Sequence, residues 1–329
     1  MMKIATAFCF SIILVGAPIH AHAAGAQAPR TWVSGASTAS DSNPCTRALP
    51  CATFYGAYGA TQAGGEIDVL DGGDFGSLVI SKAITIASDD AGTGGFTWNG
   101  GGGFLIEAAV TDAVVLRGLN LNGIDVGGGF VGVYLSTAGS VLIDHCRIEG
   151  FTGPAISVSP IQGGAVPTRL WVTDTILSND GASNNGAVLI LPSNGIAVTA
   201  RLERVNILGA AGNGIRADST NVGSPVDVEL HDVTVDGASG GSGIVAVTPT
   251  SGGPTVKIVA DNVTASHNAG YGLRAVGGTA SIVLSHSVIE GNAVGIGASS
   301  GGSVASYGDN RFANNASGNG VSPTAIPLE

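Results

Sequence analysis

Four side chains able to handle protons or anions recur at near-constant intervals. His145, Asp174, Arg204 and Asp232 stand 29, 30 and 28 residues apart. They belong to a longer series: Gly118, His145, Asp174, Arg204, Asp232, Asp261, His286 and Asp309. An imidazole can take or give a proton near neutrality, a carboxylate can accept one, and a guanidinium can grip an acid. If a repeat stacks them one strand spacing apart, about 4.8 Å, neighbours of opposite charge attract. Each such pair contributes roughly a few tenths of a kcal/mol. Two readings follow. The series is a polar ladder that keeps a bend solvated, or it is a binding or catalytic strip centred on His145, Asp174, Arg204 and Asp232. His145 and His286 cannot share a metal, because five spacings put them about 24 Å apart.

A second group has the chemistry to meet sugars. Arg216 and Arg274 fall on one outward position of a repeated strand, with Tyr134, Ser157, Leu189, Val245 and Gly297. They could pair with acidic sugars, or they are plain surface charges. Trp171 alternates outward on a different strand, where a sugar ring could stack on it. Asp89-Asp90 is an adjacent acidic pair in a Gly-rich stretch. Glycoside hydrolysis needs two carboxyls at a defined separation, and a solvated turn is the simpler reading. Gly100 to Gly103 lack the Lys-Ser/Thr of a phosphate-binding loop. No catalytic residue, metal-ligand set or cofactor site emerges.

The elements that position these residues come from a repeat. Leu116, Ile143, Val172, Leu202, Leu230, Val259, Leu284 and Tyr307 recur every 23 to 30 residues. Five positions after each stand Leu121, Ile148, Leu177, Ile207, Val235, Thr264, Ile289 and Phe312. Two positions further the chain mostly places Gly or Asn, which suit a left-handed turn. The interval anchored at Val259 fits least well and suggests a local slip. Each interval holds three short alternating stretches, such as Val141-x-Ile143, Cys146-x-Ile148 and Ile156-x-Val158. Period-two alternation means strands with one face buried. A period of this length signals a solenoid whose units bury their apolar faces only by stacking. The expected architecture is all-β: three parallel sheets, about ten coils over residues 66–321, and a tail at 322–329. Cys51 to Ala63 could form a short helix that covers the first coil. The loops Pro160 to Pro167, Pro192 to Ile196, Ser219 to Pro225 and Thr248 to Pro254 emerge along one edge. They are rich in Gly, Ser, Thr, Asn and Pro.

Lys3, the apolar run Ile4 to Ala17 and Ala21-His22-Ala23 read as a signal peptide over residues 1–23, cleaved after Ala23. Residues 24–65 then form an N-terminal cap. The run is too short to span a bilayer, which needs about 20 apolar residues, so no membrane insertion is expected. Cys45 and Cys51 lie in a Pro-rich loop and suit a disulfide in an oxidising compartment, secreted or periplasmic. Metal binding is the alternative there, without further Cys or His nearby. Cys146 alternates inward and reads as a small buried residue. The chain carries 13 Lys and Arg against 24 Asp and Glu, a net charge of −11. An acidic balance argues against nucleic acid and anionic lipid as partners. It also makes tight binding of a polyanionic polysaccharide harder, unless basic residues cluster locally or a metal bridges.

The segments Gly64-Gly65-Glu66-Ile67-Asp68-Val69 and Ile80-Ser81-Lys82-Ala83-Ile84-Thr85-Ile86, with the coils above, resemble the right-handed parallel β-helix superfamily, also called pectin-lyase-like. The resemblance spans nearly all of residues 24–329. It implies the fold; the superfamily includes polysaccharide lyases, hydrolases, tailspikes and adhesins. Val141-Leu142-Ile143-Asp144-His145 is similar to the Val-Trp-Ile-Asp-His segment of pectate lyases, with Leu142 in the Trp position. Their Arg-x-Pro-x-x-Arg segment has no counterpart here. Of the galacturonan hydrolase series, neither Asn-Thr-Asp nor His-Gly occurs, and Arg147-Ile148-Glu149 ends in the wrong residue. The resemblance therefore implies an exported β-helix that binds or organises polysaccharide without catalysis. A polysaccharide lyase or glycoside hydrolase is the alternative.

Overall fold

The computed structural model describes residues 27–88, 94–97, 103–123, 130–161, 167–181, 185–221 and 223–327. The signal segment, Asp89-Asp90 and Gly100 to Gly102 lie outside the described residues.

The chain coils into a right-handed parallel β-helix with three sheets of twelve, ten and nine strands. The first sheet runs from Ala28–Val33 to Thr324–Ala325. The second runs from Gly73–Asp74 to Arg311–Ala313, and the third from Val79–Ile80 to Val294–Ser299. Every pairing is parallel, and each strand meets the strand one coil earlier and one coil later. Nine coils give a strand to all three sheets among the described residues, fewer than the ten expected. The next coil reaches the third sheet only through the bridge Ile296↔Gly320.

The core is a set of stacked inward columns. On the first sheet Leu116, Ile143, Val172, Leu202, Leu230, Ala260 and Leu284 are successive partners. On the second, Leu121, Ile148, Leu177, Ile207, Val235, Ala265 and Ile289 are. All are essentially inaccessible to solvent. Each large aliphatic side chain so buried contributes about 1.5–3 kcal/mol. Two expected anchors are off by one residue. Val259 faces solvent, 43% exposed, and Ala260 takes the core position, with Ala265 in place of Thr264. Val256, Ile258 and Ala260 alternate inward, so the bulkier Val259 misleads where the smaller Ala260 packs. Likewise Ser306, not Tyr307, partners Leu284.

Two corners recur in left-handed backbone. Between the first and second sheets stand Gly118, His145, Asp174, Arg204, Asp232, Asn262, His286 and Gly308, each with positive φ. Asp261 and Asp309 were expected in this column; the one-residue shift puts Asn262 and Gly308 there instead. Between the second and third sheets stand Gly150, Asn179, Gly209, Gly237, His267, Gly291 and Asn314.

The two ends are filled differently. The single helix of the described residues, Phe54–Ala60, is capped by Thr53, whose hydroxyl accepts the Gly56 N–H at 3.0 Å. It inserts Phe54 against Phe75 and Phe104, with ring centroids at 5.3 and 5.8 Å. Phe96 continues the stack to Phe104 and Phe151. Cys45 and Cys51 are joined by a disulfide ahead of the helix.

Towards the other end runs a buried asparagine ladder. Asn268 Nδ2 donates to Asn292 Oδ1 at 2.8 Å, and Asn292 Nδ2 to Asn315 Oδ1 at 3.1 Å. Each Oδ1 also accepts a backbone N–H from the coil before. Asp180 occupies the equivalent turn position upstream. Its Oδ1 accepts the Phe151 N–H at 2.9 Å, while Oδ2 is buried without a partner. Burial pushes the Asp180 carboxyl up to about 8.

Candidate functional site

The first corner gathers the expected strip. His145 Nδ1 lies 2.8 Å from Asp144 Oδ1. Thr173, one coil on, donates its hydroxyl to the same oxygen. Arg204 reaches back one coil and grips Asp174 with both arms, Nε to Oδ1 at 2.7 Å and Nη2 to Oδ2 at 2.8 Å. Its remaining arm binds Glu203. The guanidinium holds the carboxyls of Asp174 and Glu203 below their usual range. Further along, His231 and His286 both meet Asp261, at 3.1 and 2.8 Å, and Asn262 donates to Asp232. The corner is thus a chain of internal partners, and the left-handed backbone turns these side chains outward. His145 is 66% exposed and Arg204 48%. Asp144, His145 and Asp174 bring one ligand-type atom each within 4.8 Å of one another. Both oxygens of Asp174 already accept from Arg204, so a cation there would compete with that guanidinium.

Cys146, between the corner and the second sheet, is buried 3.3 Å from the Asp144 carbonyl oxygen. Desolvation pushes its thiol up to about 12. A thiol that far from ionising is no nucleophile.

The outward face of the third sheet is built otherwise. Tyr134, Ser157, Leu189, Arg216, Val245, Arg274 and Gly297 are successive register partners. A groove of about 370 Å³ opens around Arg216 and Arg274, walled by the turns that enter the strands. Arg216 is oriented by Asp218, with Nε at 3.0 Å and Nη2 at 2.6 Å from one carboxylate oxygen. The other oxygen of Asp218 takes the N–H and hydroxyl of Thr220. Its carboxylate is nearly buried, so Arg216 is anchored from behind. Arg274 lies 5.0 Å from the centre of the Tyr271 ring, a cation–π contact. Among the described residues it has no ion-pair partner. The Tyr271 ring in turn covers Gly297: a Cβ there would come within 2.5 Å of the ring.

The groove wall is held by hydrogen bonds across coils. Asn213 Oδ1 accepts the Ser242 N–H at 2.9 Å, and Ser242 Oγ accepts the Tyr271 N–H at 3.1 Å. Gly241 must be glycine, because a Cβ would sit 2.6 Å from Asn213 Oδ1. Among the described residues no carboxylate, imidazole or thiol lines this groove.

Trp171 stands apart. It is 39% exposed on the first sheet, between Leu142 and Arg201 in register, and does not join the groove. The sequence placed Arg216 and Arg274 on one face but missed Tyr271, Asn213 and Ser242. Tyr271 precedes the Gly272-Leu273 strand start and reads as a turn residue. Only stacking on the next coil shows its ring beneath Arg274.

The architecture is a parallel β-helix of three sheets. No family model matches the chain, and no curated protein does. Among solved structures it is similar to a rhamnogalacturonan lyase, at 12% identity over 77% of this chain and 74% of the other, with a TM-score of 0.38. It is also similar to a double mutant of the periplasmic alginate epimerase AlgG, at 10% identity and a TM-score of 0.42. That match covers 74% of this chain and 63% of the epimerase. At such identities the likeness concerns the fold alone. No helix among the described residues is long and apolar enough to cross a membrane.

Proposed function

We propose that this is an exported protein that binds or organises an extracellular or envelope polysaccharide through the third-sheet groove, without transforming it. The observation that carries this reading is the pair of pre-oriented guanidinium groups on a rigid sheet. Arg216 is fixed by Asp218 and Arg274 by Tyr271. Immobilised side chains lose little freedom on binding, which favours affinity. Hydrolysis of a glycosidic bond uses two carboxyl groups, and the groove lining has none. Export rests on the signal segment, and the Cys45–Cys51 disulfide suits an oxidising compartment.

The test is incubation of the purified protein, with calcium present, with acidic and neutral polysaccharides. Retention on immobilised polymer and mass spectrometry of the supernatant are read together. Retention on an acidic polymer with no new oligosaccharide is expected. Unsaturated products would establish a lyase and saturated ones a hydrolase, and either overturns the non-catalytic reading.

A further inference from the structure

The outward face of the first sheet, on another side of the prism from the groove, carries a pattern that reads the same from both ends. Its middle column runs through successive register partners: Leu142 and Trp171, then Arg201 and Glu229, then Val259 and Val283. Apolar positions flank one cation and one anion. The order of types reverses about the point midway between Arg201 and Glu229. The apolar character continues one coil further each way, through Val115 and Ala305. Trp171 is 39% exposed and Val259 43%. Bulky apolar side chains left open along one column mark a contact surface, and the charges between them say what fits it.

We infer that this face docks a second copy of the chain in an antiparallel, two-fold pair. The axis lies in the interface along the strand direction and passes between the coils of Arg201 and Glu229. Such a contact brings residue i of one copy to residue j of the other, and j to i. Trp171 then meets Val259 of the second copy, Leu142 meets Val283, and Arg201 meets Glu229. The two arginines and two glutamates close a ring of alternating charge at the axis. Within one copy Arg201 Nη1 lies 3.5 Å from a Glu229 oxygen, and the Glu229 side chain is 63% exposed. Its carboxylate therefore has lone pairs left for a second guanidinium. The column at the corner agrees, since Glu203 falls opposite His231 and Thr173 opposite Asp261. On the other flank Arg169 falls opposite Lys257. That like pair stands at the rim, where charge contacts weigh little. The other two-fold axis, along the helix, would set each coil on its own counterpart. It would bury Arg201 against Arg201 and Glu229 against Glu229 at the centre, and like charges facing across an interface oppose association. A strip about 34 Å long and about 18 Å wide covers roughly 600 Å² per copy, so the pair buries about 1,200 Å², the lower end of specific interfaces. The third-sheet groove stays open in the pair.

The experiment is sedimentation velocity of the full mature chain over about a hundredfold range of concentration, because self-association follows protomer concentration. A dimer that dissociates on dilution is expected. Arg201→Glu sets a carboxylate against Glu229 of the second copy, and Glu229→Arg sets a guanidinium against Arg201. Each should weaken the dimer at least about tenfold. The double variant restores opposite charges across the two-fold axis and should recover the original constant to within about threefold. Circular dichroism checks the fold of each variant. Val259→Glu, which places a charge against Trp171 of the second copy, should also weaken the dimer about tenfold, and it decides should Arg201→Glu unfold the chain. A monomer at every concentration would overturn the proposal. A dimer weakened by the single swaps and not restored by the double would overturn the antiparallel register. A dimer that neither the swaps nor Val259→Glu weakens would place the contact on another face and overturn it as well.

Discussion

The first corner and the third-sheet groove carry the same kinds of side chain and use them differently. At the corner, charges answer one another. Arg204 spends both arms on Asp174 and a third contact on Glu203, and Asp261 takes two histidines. In the groove, one arginine is anchored from behind and the other rests on a ring. Charges satisfied inside a ladder serve solubility and register. Charges held still, with donors to spare, are the ones the proposed function assigns to a ligand. Residue type does not separate the two cases; partner geometry does.

The comparison can be broken at several depths. The largest effect belongs to the scaffold beneath both sites. Ile148 and Ile207 are fully buried in the second-sheet column. Ile148→Asp or Ile207→Asp leaves an unpaired charge in the core and costs more than about 4 kcal/mol. Loss of soluble, folded protein is expected. Normal yield and melting temperature would refute the inward register.

Asp180 comes next, since its turn leads into the third sheet that forms the groove. Folded, its carboxyl titrates at about 8 against an ordinary 3.8, chiefly through burial and with Glu149 nearby. The folded state keeps a proton that the unfolded chain releases between those values. Stability therefore falls as pH rises from about 4 to about 8 and is flat on either side of that window. Asp180→Asn should remove that slope and supply the donor that Asn292 directs to the Ala265 carbonyl. At pH 8 it should stabilise by about 1–2 kcal/mol. Thermal unfolding from pH 4 to 9 reads this, and identical pH profiles for the two proteins would contradict it.

The smallest effect is at the corner. Asp174→Ala removes an exposed pairing, and exposed pairs contribute about 0–1 kcal/mol. Its melting temperature should move little. A loss of several degrees would make the corner a structural keystone and not a solvated ladder.

The sequence carried the repeat because core columns are read from periodicity alone, and Leu116 to Leu230 hold their register without exception. It slipped where an alanine packs and a valine faces out, at Ala260 and Val259. Hydrophobicity cannot rank those two against geometry. It placed Arg216 and Arg274 on a common face because strand alternation does so directly. It missed Tyr271, whose role depends on a ring folded over Gly297 one coil away. It also missed that Asp180 shares a turn position with the asparagine ladder, since an acid there gives no apolar signal.

The most direct measurement compares Arg274→Gln with Arg204→Gln in titrations with an acidic oligosaccharide. A weakening of about tenfold for Arg274→Gln and none for Arg204→Gln is the predicted result. The reverse pattern would move the binding site to the corner and contradict the account.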